Sequence, residues 1–333
     1  MYRPIFIMEK EFTSYQQQID ILKSRNLQFS NEDYAKHCLE TNNYYSVING
    51  YKDKFLLSTK PERYMNDVDF NHIYALYEFD NALRTQTLII LLEIEKTLKS
   101  VILHDFAEKH GAFAYLDANS YSTSNSNCRD QVLNKFNEII KNANHPKYIN
   151  DKKYDTIRNC INKGRQIPIW VMFTMIDMGT LSKFYTALKS ETKYSIASHL
   201  SNIYKNILTT KDLANCLRII TEVRNICAHN QRLIYYVPSV RMSGNNYFVH
   251  KYYGTNYKSN TLNNINCLFI ALSHLTNKNT LEKYIFNILK NHKKLQEQYN
   301  NENLYLYLFG KIGLDFELIL KIFANCNSFS KEK

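Results

Sequence analysis

Arg224 and His229 are the residues of this sequence whose types and spacing could support chemistry. A permanently charged guanidinium stands five positions before an imidazole in the stretch EVRNICAHNQRL. Winding this segment as a helix, at about 100° per residue, places Arg224 near the centre of an apolar stripe. The stripe is formed by Leu213, Leu217, Ile220 and Cys227. An arginine on such a face needs an anion, a carboxylate partner or a subunit boundary.

Asn225 and His229 form the second half of this candidate site, because residues four apart share one face of a helix. His229 lies about 140° further round than Arg224, so one ideal helix face cannot join those two. Either the backbone departs from ideal geometry near Ala228, or a second copy of the helix completes the site across a twofold axis. We predict the second, a homodimer. The structural alternative pairs Arg224 with Glu222 or a distant carboxylate and lets His229 pack near a helix end.

Two helices are expected to position these residues. Thr209 and Asp212 are spaced as in a capping box, and the helix that they open is predicted to continue to Tyr235. Apolar residues at helical spacing predict one or two long core helices over 67–109, ending near Gly111.

Four charged residues are candidates to support the site. Glu93 and Glu95 lie on the long segment, and one of them could form a salt bridge with Arg224 or orient it in the site, although a solvated helix face is the better explanation for at least one of the two. Glu222 and Arg232, which flank the motif, complete this set.

The remaining segments predict a mainly-α fold with one β-hairpin insertion. Eight glycines and five prolines are few for a barrel or a sandwich of this length. The polar stretch 117–166 predicts loops around a short helix. SVRMSGNNYFVHKYYG has aromatic and β-branched residues on both sides of a turn-forming centre, which predicts the hairpin. We divide the chain into a helical lead-in (1–66), a helical core (67–235), the hairpin insertion (236–261) and a C-terminal helical region (262–333), within one continuous globular unit.

The motif and its surroundings resemble the Abi-like abortive infection proteins of the HEPN ribonuclease superfamily. Arg224, Asn225 and His229 match the Arg-Asn-(three residues)-His motif of HEPN ribonucleases. FTSYQQQIDILKSRNLQFS and LETNNYYSVINGYKDKF resemble the family's opening block, and PIWVMFTMIDMGTLSKFY resembles its middle block. The resemblance covers most of residues 10–235. The family pattern often continues with a second His and a Trp-Asn pair, where this chain has Asn230 and then Ile234 and Tyr235.

The resemblance implies a HEPN-type helical bundle with helical N- and C-terminal extensions. It also implies metal-independent RNA cleavage, in which the ribose 2′-hydroxyl attacks the adjacent phosphodiester during phage infection. His229 would then transfer protons, Arg224 would stabilise the phosphorane-like transition state, and Asn225 would orient the phosphate or the histidine. The alternatives are a module of the same fold that binds or senses RNA without cutting it, and a scaffold that recognises a phage component.

The charge balance suits a polyanionic partner. Lys and Arg outnumber Asp and Glu by 42 to 31, although an AT-rich genome also encodes lysine-rich proteins. The cations predicted to follow an RNA backbone are Lys152, Lys153, Arg158, Lys163 and Arg165. A solvated loop is the alternative interpretation. Because a toxic ribonuclease requires restraint, we expect a structured RNA to bind these cations and inhibit the enzyme, so that RNA is both substrate and inhibitor.

Other chemistries lack their characteristic residues. The sequence has no P-loop, no GxGxxG after a strand and no HExxH, and its seven cysteines form no CxxC pair or Cys/His cluster with zinc-ligand spacing. We therefore predict no cofactor and no metal. The first residues, MYRPIFIMEKEF, lack the apolar run of a signal peptide or membrane span, so a cytoplasmic location and no membrane partner are expected.

Overall fold

The computed structural model describes residues 12–243, 246–254 and 261–327, and it confirms the mainly-α prediction. Helices dominate the described residues, and their strands form two short antiparallel pairs. The chain divides into two compact units. The first contains residues 12–83 and 289–312, and the second contains the described residues of 84–288 and 313–327. In the described ranges, no helix is both long and apolar enough to cross a membrane.

The first unit combines helices from both ends of the chain with a small hairpin. Its elements are α1 (Tyr15–Ser24), α2 (Glu32–Asn42), β1 (Leu56–Thr59), β2 (Glu62–Tyr64), the start of α3 (Phe70–His110), the end of α12 (Lys278–Tyr299) and α13 (Glu302–Ile312). The buried Tyr51 hydroxyl donates to Asp80 at 2.5 Å, and the Tyr299 hydroxyl donates to the His72 carbonyl at 2.8 Å. These bonds satisfy polar groups within the unit's apolar core.

The second unit contains the rest of α3 and α12 and most of the remaining helices. Its other elements are α4 (Ser126–Ala143), α5 (Asp155–Asn162), α6 (Ile169–Met172), α7 (Met178–Ala187), α8 (Ser190–Tyr204), α9 (Thr210–Ala228), β3 (Met242–Ser243), α10 (Tyr247–Tyr253), β4 (Thr261–Leu262), α11 (Asn266–Leu275) and α14 (Phe316–Asn327).

Helix α3 confirms the long helix that the apolar spacing predicts, because it runs unbroken for 41 residues and ends just before Gly111. The residues that set the pattern are all buried: Ile73, Leu76, Leu83, Leu91, Ile94, Leu98 and Val101. The helix in the polar stretch is longer than predicted, since α4 has 18 residues. Its buried positions are only Val132, Phe136, Ile139 and Ala143, so polar residues between them obscure the helical pattern.

The predicted hairpin is wrong in its second strand, and positions 244 and 245 of its predicted turn lie outside the described residues. Residues Tyr247–Tyr253 form α10, whose amino end is capped by the Asn246 side chain, which accepts from the backbone N–H groups of Phe248 and Val249. Strand β3 pairs instead with β4, where Met242 lies opposite Leu262. An aromatic-rich sequence and a turn-forming centre favour strands locally, but the side-chain cap favours a helix here.

Helix α9 begins as predicted and ends earlier. Thr209 accepts from the Asp212 backbone N–H at 3.1 Å, as an N-cap residue should. The four residues of the predicted apolar stripe are buried as the helix packs against α7, α8 and α11. The helix stops at Ala228 and does not continue to Tyr235.

Candidate functional site at the carboxyl end of helix α9

Arg224 is half-buried on α9 and approaches Glu95 of α3. Its Nε lies 3.9 Å from Glu95 Oε2, which is an ion-pair distance but too long for a hydrogen bond. Both atoms are buried, and neither has a hydrogen-bond partner among the described residues. The other Glu95 oxygen lies 2.9 Å from the ammonium of Lys99, which also donates to the Ile176 carbonyl at 2.7 Å. Glu95 thus neutralises Lys99 at close range and leaves Arg224 with donors to offer an anion.

His229 is the residue at which α9 ends. Its backbone, with φ −102° and ψ 15°, leaves the helical region, while its N–H still donates to the Asn225 carbonyl at 3.0 Å. Asn230 follows with φ 53°, in the left-handed region. The N–H of Gln231 then donates to the Ile226 carbonyl at 2.9 Å and that of Asn230 to the Cys227 carbonyl at 3.4 Å, the pattern of a Schellman motif. The backbone therefore departs from ideal helical geometry just after Ala228, as the first of the two predicted ways of joining Arg224 and His229 requires.

Asn225 and His229 are both exposed, and in the described residues their side chains make no hydrogen bond. The motif thus combines a half-buried guanidinium with an exposed amide and an exposed imidazole. The four-residue spacing of Asn225 and His229 places them on the same surface of the helix end.

Glu222 does not bind Arg224 but holds the loop that follows the helix. Its carboxylate accepts from the Tyr236 hydroxyl at 2.7 Å, from the Ser239 backbone N–H at 3.1 Å and from the Ser239 hydroxyl. Burial and this acceptor raise the pKa of Tyr236. Arg232 lies over the Tyr235 ring at 5.7 Å. Glu222 and Arg232 therefore shape the segment that carries the chain away from His229.

The model of the Abi-like protein family matches residues 37–235, which is more than half of the chain and includes the whole motif. The chain belongs to the Abi-like family. Membership supports a role in abortive infection. No match was found among curated proteins or among solved structures.

The five basic residues proposed for RNA binding differ in their surroundings in this Abi-like protein. Arg158 is turned inward, because its guanidinium donates to the carbonyls of Tyr148 at 3.0 Å and Asp151 at 2.7 Å and to the Asp155 carboxylate. Lys153 pairs with Asp151 at 3.1 Å, and this hydrogen bond raises the pKa of Lys153. The three others, Lys152, Lys163 and Arg165, are exposed and form no ion pair within the described residues. Arg158 thus stabilises the turn before α5, while three cations remain for a polyanion.

Sequence reasoning missed a cluster of ligating residues in this Abi-like chain. His104 and Asp105 of α3 lie beside His199 of α8, and Glu93 lines the same groove. The potential ligand atoms of His104, Asp105 and His199 lie within 4.8 Å of one another, although 94 residues separate Asp105 from His199 along the chain. Only the packing of α8 on α3 brings them together, so no local spacing could have revealed the cluster.

Proposed function

We propose that this Abi-like protein is a HEPN-type endoribonuclease that cuts RNA at the carboxyl end of α9. The observation that carries the proposal is the state of Arg224. A half-buried guanidinium has a buried Nε without a hydrogen-bond partner in the described residues, and exposed Asn225 and His229 follow on the same helix. The buried Nε faces Glu95, whereas the two terminal guanidinium nitrogens are neither buried nor hydrogen-bonded among the described residues, on a side chain that is 32% exposed. These nitrogens suit an anion that arrives from solvent.

In the proposed reaction one phosphorus–oxygen bond forms and another breaks, and each change is accompanied by the transfer of one proton. The ribose 2′-oxygen bonds to phosphorus as its proton passes to a base, and the bond from phosphorus to the 5′-oxygen breaks as that oxygen takes a proton. His229 serves in this proton transfer, because imidazole is the side-chain type suited to it near neutral pH. Arg224 stabilises the charge on the non-bridging oxygens. The products are a 2′,3′-cyclic phosphate and a 5′-hydroxyl.

Glu95 sets how available Arg224 is. At 3.9 Å it attracts the guanidinium without a direct hydrogen bond, and its closer contact is with Lys99. The cluster of Arg224, Glu95 and Lys99 carries a net positive charge, which favours a phosphate beside α9. Glu95 therefore acts as a positioning residue for Arg224.

We also propose that the active form is a homodimer in the cytoplasm. Arg224 lies on the buried side of α9 and His229 is exposed at its end, so a second copy could offer its His229 to the Arg224 of the first. Light scattering at micromolar concentration should give twice the chain mass. A strictly monomeric protein that retains cleavage activity would defeat this part of the proposal.

The experiment incubates purified protein with mixed RNA in chelator and maps the new ends. We compare the wild type with an Arg224→Ala, His229→Ala double variant. Expected is cleavage by the wild type alone, giving cyclic phosphate ends, and no cleavage of the same RNA carrying 2′-O-methyl riboses. Arg218→Ala with His37→Ala is the matched control, because both residues are exposed and lie outside the motif.

Three results would change the assignment. Equal cleavage by the wild type and the motif variant would remove Arg224 and His229 from the mechanism. Cleavage of 2′-O-methyl RNA would exclude the 2′-hydroxyl as nucleophile. If no form cuts but all bind RNA with similar salt dependence, a non-catalytic RNA-binding module becomes the preferred function.

A further inference from the structure

His104, Asp105 and His199 place three metal-ligand atoms of the second unit together. The two imidazoles face one carboxylate oxygen, because Asp105 Oδ1 lies 3.3 Å from His104 Nδ1 and 2.8 Å from His199 Nδ1. All three ligand atoms lie within 4.8 Å of one another. The imidazole rings meet edge to face, with centroids 6.0 Å apart. The cluster joins neighbouring positions of α3 to the middle of α8.

Asp105 is the fixed member of the cluster. Its side chain is only 3% exposed, and Oδ2 accepts from the Ser195 hydroxyl at 3.2 Å. Among the described residues, its ion-pair partners are the two histidines, and neither is a permanent cation. A buried carboxylate needs positive charge or several hydrogen bonds to offset the loss of water. Both imidazole Nδ1 atoms lie at hydrogen-bond distance from Oδ1, and a metal ion would replace their protons with a permanent positive charge beside the same oxygen.

The donor set and its spacing suit zinc. Zn²⁺ binds two His nitrogens and a carboxylate oxygen at about 2.0–2.2 Å, so its ligand atoms lie roughly 3.3 Å apart in a tetrahedral site. The His104 contact already has that length, and the His199 contact would lengthen by a few tenths of an ångström. Two nitrogen donors favour a transition metal over Mg²⁺ or Ca²⁺, which prefer oxygen.

Access and a fourth position are provided by a groove of about 670 Å³ that His104 and His199 help to line. The His104 side chain is 64% exposed, so an ion can reach the cluster from solvent. The groove's other lining residues are Glu93, Lys96, Thr97, Ser100, Val101 and Ile203. Water from the groove could complete the coordination, as in zinc sites with three protein ligands.

We propose that His104, Asp105 and His199 form a binding site for a divalent transition-metal ion, best matched by Zn²⁺, that fastens α8 to α3. The site is separate from the proposed ribonuclease centre. His104 follows Glu95 by nine residues on one helix, which corresponds to about 14 Å along its axis. The ion's role is therefore to hold two helices together, and RNA cleavage in chelator remains compatible with it.

The test uses full-length protein stripped with chelator, dialysed against Zn²⁺ and analysed for metal per chain. The wild type should retain one zinc ion, and Zn²⁺ should raise its thermal unfolding midpoint. His104→Asn and His199→Asn should each weaken zinc binding by about tenfold or more, since losing a direct ligand should cost at least as much as losing an outer-shell partner. Co²⁺ should give the visible spectrum of a low-coordinate nitrogen and oxygen site without thiolate bands.

His110→Asn is the matched control. This half-buried histidine also lies on α3 and contacts α8, with Nε2 2.9 Å from the Thr192 hydroxyl oxygen, but it is outside the cluster. It should leave zinc binding unchanged. The proposal is overturned if the wild type keeps no stoichiometric zinc, if the two cluster variants keep it as tightly, or if cobalt shows thiolate bands that place the metal at cysteines.

Discussion

The two ends of helix α9 differ in how their polar groups are satisfied. At the amino end, Thr209 donates to the Asp212 carboxylate at 2.6 Å, and Asn246 donates to its other oxygen at 2.7 Å. The Asn246 amide nitrogen also lies 3.0 Å from His274 Nε2. Asp212, Asn246 and His274 are all buried. At the carboxyl end, Arg224 Nε has no hydrogen-bond partner in the described residues.

This difference fits a structural role for the amino end and the proposed RNA-binding role for the carboxyl end. Polar groups enter a protein interior at little cost only when they bind one another. At the amino end Asp212, Asn246 and His274 Nε2 do so, and His274 Nδ1 is the atom of this cluster without a hydrogen-bond partner in the described residues. The carboxyl end presents a guanidinium paired with Glu95 at 3.9 Å, together with an exposed amide and an exposed imidazole that make no hydrogen bond among the described residues. The following predictions test that contrast.

Arg224→Ala should produce the largest effect, on activity. We expect RNA cleavage to fall by about 100-fold or more, the loss typical of removing one transition-state donor, with little change in thermal stability. Cleavage rates and unfolding midpoints of the same samples provide the measurement. Arg218→Ala removes the same charge from an exposed position of α9 and should keep activity. A variant that loses stability and activity in parallel would make Arg224 a structural residue.

Asn246→Ala should produce the opposite result. It leaves the buried Asp212 and His274 without their shared partner, so the free energy of unfolding should fall by roughly 2–3 kcal/mol. Cleavage per folded molecule should stay close to that of the wild type. Urea unfolding and RNA cleavage, measured together, distinguish the two ends of the helix. Loss of cleavage in a fully folded Asn246→Ala protein would contradict the contrast.

The amino end should also make stability depend on pH. Burial lowers the pKa of His274 to about 4, although Asp212 acts in the opposite direction. Since the folded-state pKa lies below the ordinary value of 6.5, the unfolded chain binds the proton more tightly. The stability that this group contributes is complete above that ordinary value and is lost as the pH falls toward 4.

Between pH 7 and pH 5 the loss from one such histidine is about 2 kcal/mol. Urea unfolding at both pH values should show this loss in the free energy of unfolding, and His274→Asn should remove the part of the loss that His274 contributes. His292 of the first unit, whose pKa burial also lowers to about 4, should keep its own share in the variant. A pH dependence identical in wild type and His274→Asn would show that His274 takes up its proton in the folded state.

The basic residues near α5 also divide into one whose donors are used within the protein and others that are exposed to solvent, and the effect expected from the exposed ones is smaller. Reversing the exposed Lys152, Lys163 and Arg165 to Glu should weaken RNA binding and lower the slope of log affinity against log salt by about 2. Arg158 is excluded because its donors are used within the turn. Reversal of the exposed lysines 36, 60 and 293 is the control. An unchanged slope in the first variant would remove this surface from RNA binding and from the proposed inhibition by RNA.

Much of the fold could be predicted because its main patterns are local. The apolar period identifies α3, and Thr209 identifies the start of α9. The end of α9 was missed because apolar residues continue to Tyr235, while the left-handed Asn230 stops the helix. Helix α10 was missed because aromatic residues fit strands and helices, and the Asn246 cap that decides between them is a single residue.

The candidate site was predictable only in part for a similar reason. Motif spacing identifies Arg224 and His229 but cannot choose between Glu93 and Glu95 as a partner. In the structure Glu95 approaches the arginine, while Glu93 is exposed and lines the groove beside His104. Which carboxylate meets Arg224 depends on how α3 is rotated against α9, and this is a property of packing between distant segments.

Cys227 gives the carboxyl end of α9 a built-in reporter of its motion. Its side chain is 5% exposed and lies one turn after Arg224 and two residues before His229. A thiol in that position reacts with a soluble reagent only when the helix end opens, so its labelling rate measures the free energy of local opening. The half-exposed Cys128 and Cys160 should react first and provide the fast reference in the same sample. An RNA that binds at this helix end would slow the labelling of Cys227. Binding of RNA could therefore be followed through this native thiol, without an engineered probe and without measuring cleavage.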